Sequence, residues 1–392
     1  MAGERTKHSL VFYRRRYCKA ERLERSKILD EFCMMTGYHR KYAVFLLGRS
    51  GPEAGAPAIK RRRGATYSRE AIRALEAIWE AADYPWSERL KALLPHWLAW
   101  ADGHVTGITP EVKAELLAIS PRQIDRRLKD KKRSLKRRIY GRTKPGTLLK
   151  HHIPIKTDSW DVTEPGFSEI DLVSHSGDSS TGPFIHSLNL TDIVTAWVET
   201  RAVMGKGEAG VVAAVDEIRR ALPFSLCGID SDNGSEFIND HLYRYCGKRG
   251  IQFTRGRPYK KNDNAHIEQK NWTHVRRVFG WDRYETPEVL EAMNELYAAE
   301  MRLMMNLFQP CVKLISKERV GSKLRRRYDK PKTPLDRLVD SYQAKGQTLP
   351  LPVQHLERIR ERTDPFDLAE RIEAKLERIQ RLRQGEPIVK TQ

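Results

Sequence analysis

Residues 166–175 read GFSEIDLVSH, and residues 228–237 read GIDSDNGSEF. In the first stretch, 167–174 is a short run rich in apolar and β-branched residues with Asp171 inside it, which is the composition of a strand. In the second, the run 227–231 is also strand-like, and Asp232 follows it directly, ahead of a helical pattern. Working outward, 184–190, 196–202 and 251–255 are further strand-like runs, and helical periodicity fits 207–222, 237–248 and 264–279. Three strands, then helix, strand, helix, strand and helix, is an α/β order. It occupies 158–285.

A third stretch, 260–271, reads KKNDNAHIEQKN and places Glu268 early in the last of these helices. Between Asp232 and Glu268 stand 35 residues, room for a helix, a strand and a loop that return the chain beside its start. Each of these acids alone fits a solvated structural role, and Asp-Asn-Gly at 232–234 suits a tight reversal. Together, with this spacing, they make a carboxylate trio. Asp230 is a competing ligand on the same strand, and Asp192 in LTDIV reads as a turn residue.

The chain is strongly basic, and the location of the charge matters more than its sum of +20. Residues 1–150 carry 34 Lys/Arg against 16 Asp/Glu, whereas 151–285 carry 16 against 19. Residues 286–392 carry 21 against 16, so basic flanks enclose a mildly acidic centre. Basic flanks gain from counterion release on a polyanion. A 40% hydrophobic content excludes a disordered chain. Five scattered cysteines without a C-x-x-C pair point to neither a disulfide framework nor a common zinc site. No run approaches the roughly 18 apolar residues of a membrane helix, and the N-terminus has no apolar signal core. The expectation from these features is a reducing, cytoplasmic setting without a membrane partner.

Residues 1–145 read as a helical DNA-binding region. In 19–48, Leu23, Ile28, Leu29, Phe32 and Met35 recur at roughly helical spacing, and Thr36-Gly37 ends the helix. A second run from Tyr38 begins polar with Arg40 and Lys41 and finishes apolar, in the manner of a helix-turn-helix. After a Gly/Pro/Ala-rich linker at 50–64, helices are expected at 68–82 and 86–101, then at 110–117 and 120–132. From Arg122 to Lys144 twelve Lys/Arg face two acids, which makes Arg122, Arg126 and Arg127 candidates for phosphate contacts. Lys260, Lys261 and His266, ahead of Glu268, are candidates for the same role. Residues 286–392 are expected to be mostly helical and basic, with a Pro-bearing basic stretch at 317–334 and a charged helix at 355–384.

Hard divalent ions take carboxylate oxygens. Phosphodiester transfer uses two such ions, about 3.5–4 Å apart, on the attacking and leaving oxygens. The segments EIDLV, SDNGSEF and YKKNDNAHIEQKN, with the 35-residue interval, resemble the integrase core of the DDE transposase and retroviral integrase superfamily. More narrowly, KNDNAHIEQKN resembles bacterial insertion-sequence transposases. The resemblance covers about a third of the chain. It implies an RNase-H-like core: a five-stranded mixed sheet with flanking helices, its acids on the first strand, beside the fourth, and on the last core helix. It implies that Asp171, Asp232 and Glu268 are catalytic and hold two Mg²⁺ (or Mn²⁺) ions. It also implies cleavage of double-stranded DNA at terminal inverted repeats, transfer into target DNA, and at least a dimer in the working complex. Retroviral integrases carry Lys four and seven residues after the glutamate; here those positions are Trp272 and Val275, so their DNA contacts do not carry over. Trp272 reads as a core residue. The rival readings are an RNase-H-like nuclease that never joins, and a non-catalytic DNA-binding protein descended from a transposase.

Overall fold

The computed structural model describes residues 2–48, 67–134, 162–231, 237, 240–255, 267, 270–320 and 323–385. The chain divides into two compact units, Met1–Thr66 and Tyr67–Gln392.

The first unit is three helices: α1 (Ala2–Lys19), α2 (Arg22–Thr36) and α3 (Arg40–Gly48). Ile28, Leu29 and Phe32 of α2 meet Ala43 and Leu47 of α3 in a small core. The end of α2 falls where the sequence places it: Gly37 adopts φ +69 and its N–H bonds back to the Cys33 carbonyl, a left-handed stop that glycine takes without strain. Two of the apolar residues at helical spacing are not in this core, since Leu23 is 85% exposed and Met35 51%. Helix α1 was not legible because its sequence alternates apolar and basic residues without a clear stripe.

The second unit contains the sheet. Its five strands are β1 (Phe167–Ser174), β2 (Ile185–Asp192), β3 (Val198–Met204), β4 (Gly228–Ser231) and β5 (Gln252–Arg255). They lie in the order β3-β2-β1-β4-β5. The first three pair antiparallel, and β4 and β5 join β1 in parallel. This is the five-stranded mixed sheet with flanking helices that fits an RNase-H-like core. Each strand falls within about two residues of its expected span, because alternating polar and apolar residues mark the two faces.

One face is apolar. Ile170, Leu172, Leu188, Leu190, Ile229 and Phe253 pack against Val211, Val215 and Ile218 of α9 (Glu208–Ala221) and Leu242 and Cys246 of α10 (Asp240–Arg249). The other face is polar. It lies against helix α11, whose segment Asn271–Arg276 has π geometry and whose last turn is Arg277–Phe279. Helix α12 follows, beginning as Pro287–Leu296 and running on through π turns at Tyr297–Met301 and Met304–Phe308. The start of β1 is tightly built: Gly166 has φ +120, and a Cβ there would collide with the Ser225 carbonyl.

Helices α4 (Arg69–Ala81), α5 (Ser87–Leu98), α6 (Pro110–Ala118), α7 (Pro121–Arg127) and α8 (Lys129–Ser134) precede the sheet. Ser68 caps α4 by accepting from the Ala71 N–H at 3.1 Å, and Ser120 caps α7 by accepting from Gln123 at 3.4 Å. The single helix expected at 120–132 is instead two, broken at Leu128. Ala74, Leu75, Ile78, Leu94 and Trp97 share one core with Leu307, Leu335, Leu338, Val353 and Leu368.

The described C-terminal residues are mostly helical, as expected, with one departure. The basic stretch forms a two-stranded antiparallel ribbon, β6 (Leu314–Val320) with β7 (Lys323–Tyr328). After it come α13 (Pro334–Gln343), α14 (Leu351–Arg362) and α15 (Pro365–Arg383). The charged helix expected at 355–384 is thus two helices, because Asp364 and Pro365 start a new one, the Asp364 carboxylate accepting from the Phe366 N–H. No helix among the described residues is long and apolar enough to cross a membrane.

Candidate active site on the polar face of the sheet

Strand β1 is the middle strand, and its period-2 alternation puts Glu169 and Asp171 on the polar face while Ile170 and Leu172 enter the apolar core. Asp171 is half-buried. Its Oδ1 accepts from the Leu172 N–H at 2.7 Å, and its Oδ2 accepts from Asn271 Nδ2 at 2.5 Å. Asn271 is three residues beyond Glu268.

Asn271 is itself held. Asn189, opposite Asp171 on β2, donates from Nδ2 to Asn271 Oδ1 at 3.0 Å. Thr200, opposite Asn189 on β3, donates from its hydroxyl to Asn189 Oδ1 at 3.1 Å. A line of hydrogen bonds therefore runs Thr200, Asn189, Asn271, Asp171 across three strands and a helix. Asn189 is fully buried and Thr200 is 6% exposed, so water offers little replacement.

Beside Asp171 lie two deeply buried acids. Glu169 is 1% exposed, Asp230 is 0% exposed, and the two are register partners on β1 and β4. A Glu169 oxygen accepts from the Ile267 N–H at 2.9 Å, and Asp230 Oδ1 accepts from the Thr254 hydroxyl at 2.6 Å. Ser231, the last residue of β4, pairs with Ile170.

Of the expected trio, Asp171 is placed, whereas Asp232 and Glu268 lie outside the described residues, as do Asn233, Gly234, Lys260, Lys261, Asn264 and His266. Their chain neighbours are described. Ser231 precedes Asp232 and borders Ile170; Ile267 precedes Glu268 and bonds Glu169; Asn271 bonds Asp171.

The remaining candidates are elsewhere. Arg122, Arg126 and Arg127 are exposed on α7. In the first unit Lys41 is exposed, while Arg40 is ion-paired with Asp30 and donates to the Ser26 hydroxyl at 2.6 Å. Asp192 ends β2, as expected, and its buried carboxylate accepts from the Gly166 and Thr195 N–H groups at 2.7 Å each. Burial raises its pKa, against the lowering effect of those hydrogen bonds. Trp272, expected in the core, is 41% exposed, because its neighbours Asn271 and His274 take the inward positions on α11.

Sequence reasoning missed Asn189, Thr200, Asn271 and the buried roles of Glu169 and Asp230. A signal existed: in β2, Ser187, Asn189 and Thr191 alternate with Leu188 and Leu190, marking a polar but buried face.

The donor atoms offered here are carboxylate oxygens, which suit a hard divalent ion better than a soft one. Among the described residues, the group with metal-ligand spacing is His104, Asp364 and Asp367. It lies at the N-terminus of α15, where Asp364 is already the cap, His104 Nε2 lies 2.8 Å from Asp364, and the helix dipole opposes a cation. It shares no residue with the Asp171 cluster.

A five-stranded mixed sheet with flanking helices, which here carries a carboxylate on its middle strand, fits an α/β core of RNase-H-like type. In sequence, the chain is 38% identical over 327 residues to the uncharacterized protein y4rM of Sinorhizobium fredii, covering 82% of this chain and 91% of that protein, and it belongs to the same family. No family model matches the sequence. Among solved structures, the catalytic core domain of BIV integrase aligns at a TM-score of 0.31 and 15% identity, over 46% of this chain and 99% of that one. The magnesium-bound HTLV-2 integrase catalytic core domain, a dimeric form, aligns at 0.28 and 12%, over 38% and 90%.

Proposed function

We propose that this chain is a DNA transposase of the DDE type, which cuts DNA to free a 3′-hydroxyl and joins that end to a target phosphodiester, moving an insertion sequence. One observation carries the reading: Asp171 stands on the polar face of the middle strand, and the chain neighbours of Asp232 and Glu268 pair with or hydrogen-bond to its own strand. Asp171, Asp232 and Glu268 would hold two Mg²⁺ or Mn²⁺ ions, which supply activation of the attacking oxygen and stabilisation of the leaving one. The protein's own part is to fix the carboxylates. Asn271 orients Asp171, and Glu169 anchors the backbone just before Glu268. The first unit, with α2 and α3 joined by a short turn, is assigned to recognition of terminal repeats as a helix-turn-helix, and Arg122, Arg126 and Arg127 to phosphate contacts. Joining two DNA ends calls for at least a dimer.

The test uses the purified full chain, Mg²⁺ or Mn²⁺, and labelled duplexes taken from the DNA that borders its gene. Nicked products together with strands longer than the substrate are expected, and Asp171→Asn removes both while leaving duplex affinity unchanged. Products only shorter than the substrate favour the non-joining nuclease. If Asp171→Asn retains full cleavage, the catalytic assignment is wrong.

A further inference from the structure

The ribbon β6–β7 has no part in the reading above, and its chemistry is unlike the rest of the second unit. Its two strands carry six Lys/Arg and one acid, Glu318. Arg325, Arg326 and Arg327 are consecutive and exposed, so the strand alternation sends them to both faces of the ribbon. The apolar residues at the base do not make a core either: Leu314 is 45% exposed, Ile315 60% and Tyr328 46%. An isolated hairpin is marginal in water, and these three exposed residues bury little to hold it.

What holds it is the base. Asp329 caps the ribbon by accepting from the Lys313 N–H at 2.7 Å and is ion-paired at 2.5 Å with Arg337, which is 9% exposed. Arg337 also donates to the Cys311 carbonyl at 2.8 Å, and Cys311 and Lys332 exchange backbone bonds of 2.9 and 3.1 Å. Lys313 reaches the Val194 carbonyl, just past β2, at 2.9 Å. A register shift between Leu314 and Ser316 adds the local twist that a bulge brings. The ribbon is therefore a cationic arm, about 20 Å long from strand rise, fixed at its root to the sheet-bearing unit.

We propose that β6–β7 is a duplex-DNA contact, laid along a groove with Arg325, Arg326 and Arg327 on backbone phosphates. A two-stranded ribbon fits the major groove, which is about 12 Å wide. Guanidinium groups on both faces match phosphates on both groove walls, and arginine takes phosphate oxygens in a two-pronged geometry. The contact carries no sequence information. It is independent of the helix-turn-helix and α7 assignments, and rests on the DNA-acting reading.

The test is equilibrium binding of the full chain to a labelled duplex of arbitrary sequence across a salt series. Replacing all three arginines by Gln is expected to weaken binding about ten-fold or more at moderate salt and to flatten the log–log salt slope by about 2 to 3, since each lost phosphate contact removes about 0.9. Arg326→Gln alone flattens it by about 1, and the triple Lys variant keeps most of the slope. The control R220Q/K248Q/R249Q, on the α9–α10 side of the sheet, leaves the slope unchanged. An unchanged slope in the folded triple Gln variant, with wild-type binding intact, overturns the ribbon contact alone. A changed oligomeric mass with an unchanged slope overturns it in favour of self-association. Absence of salt-dependent duplex binding by the wild type overturns this contact and the DNA-acting reading together.

Discussion

Replacing Asn271 by Ala removes the central member of the hydrogen-bond line beside Asp171. Two groups lose a partner: Asp171 Oδ2 loses a donor at 2.5 Å, and Asn189 Nδ2 loses an acceptor at 3.0 Å. Asn189 is fully buried, so its stranded amide costs about 1–3 kcal/mol. The bond to Asp171 is charge-assisted, worth about 1.5–3 kcal/mol, but Asp171 is half-buried and water recovers part of it. The expected loss is about 2–4 kcal/mol, read from urea unfolding of the second unit. The diagnostic measurement is a double-mutant cycle. Asn189→Ala with Asn271→Ala leaves neither amide facing a missing partner, so the double variant is expected to cost at least about 1 kcal/mol less than the sum of the singles. In the cleavage assay, loosening a group that orients a metal ligand is expected to reduce metal affinity or rate about 10- to 100-fold. An Asn271→Ala protein within about 0.5 kcal/mol of wild type, or single costs that add within about 0.3 kcal/mol, would refute the line of bonds as a coupled device.

Three further outcomes follow from other parts of the second unit and from the first. Burial pushes buried His175, bonded through Nε2 to the Ser187 hydroxyl at 2.8 Å, down to about 3, with Arg276 and His186 adding to the shift. A depressed histidine favours folding fully above its ordinary pKa of about 6.5 and loses that contribution as pH falls toward 3, at about 1.4 kcal/mol per unit. His175→Gln should therefore remove about 2 kcal/mol of the stability lost between pH 6.5 and 5, measured as a difference from wild type because burial lowers His274 in the same direction. Arg302 donates to Glu199 at 2.7 Å, and the Glu199 side chain has no exposed surface. Glu199 keeps the Trp197 Nε1 donor at 3.0 Å and Arg201 at 3.6 Å. Arg302→Met should therefore cost only the lost charge-assisted bond, about 1.5–3 kcal/mol, and adding Glu199→Gln should restore part of it; equal stability of the two variants would contradict this. Phe32, 1% exposed, is the largest residue in the core of the three-helix unit. Phe32→Ala should cost about 3–5 kcal/mol and abolish hydrogen-exchange protection in α1–α3 while protection in β1–β5 persists.

The sheet was legible because its information is local. Phe167–Ser174 alternates polar and apolar residues within eight positions, a pattern that marks a strand with two unlike faces. Caps were equally local: Ser120-Pro121 and Gly37 signal a helix start and stop within a turn. The ribbon β6–β7 was not legible, since Lys- and Arg-rich strands lack the alternation that marks a buried face, and its anchor, Arg337 on Asp329, involves a residue eight positions away on a helix. The candidate site was half legible. Three acids could be picked out by context and interval, but what surrounds Asp171 could not, because Asn271 is 100 positions from it in the chain and Asn189 is 82 from Asn271.

The polar face also explains why its acids are placed as they are. Burying Glu169 and Asp230 side by side is costly, and a fold selected for stability alone would fill those positions with apolar residues. Each carboxylate instead fixes something: Asp230 ties β4 to β5 through Thr254, and Glu169 holds the Ile267 N–H. The second bond clamps α11's approach to the sheet one residue before Glu268 and four before Asn271. With Asn271 fastened to Asp171, the chain entering α11 is pinned to β1 at two positions four residues apart. Two pins separate the helix's position from its rotation: Glu169 sets where it meets the strand, and Asn271 sets which side it presents. On the proposed reading, Glu169→Gln keeps an acceptor and so should preserve the fold, within about 1–2 kcal/mol for the lost charge assistance, yet lower cleavage more than it lowers stability. Equal fractional loss of folded protein and of activity across pH and temperature would mean that Glu169 only supports the fold, and the two-pin argument would fail.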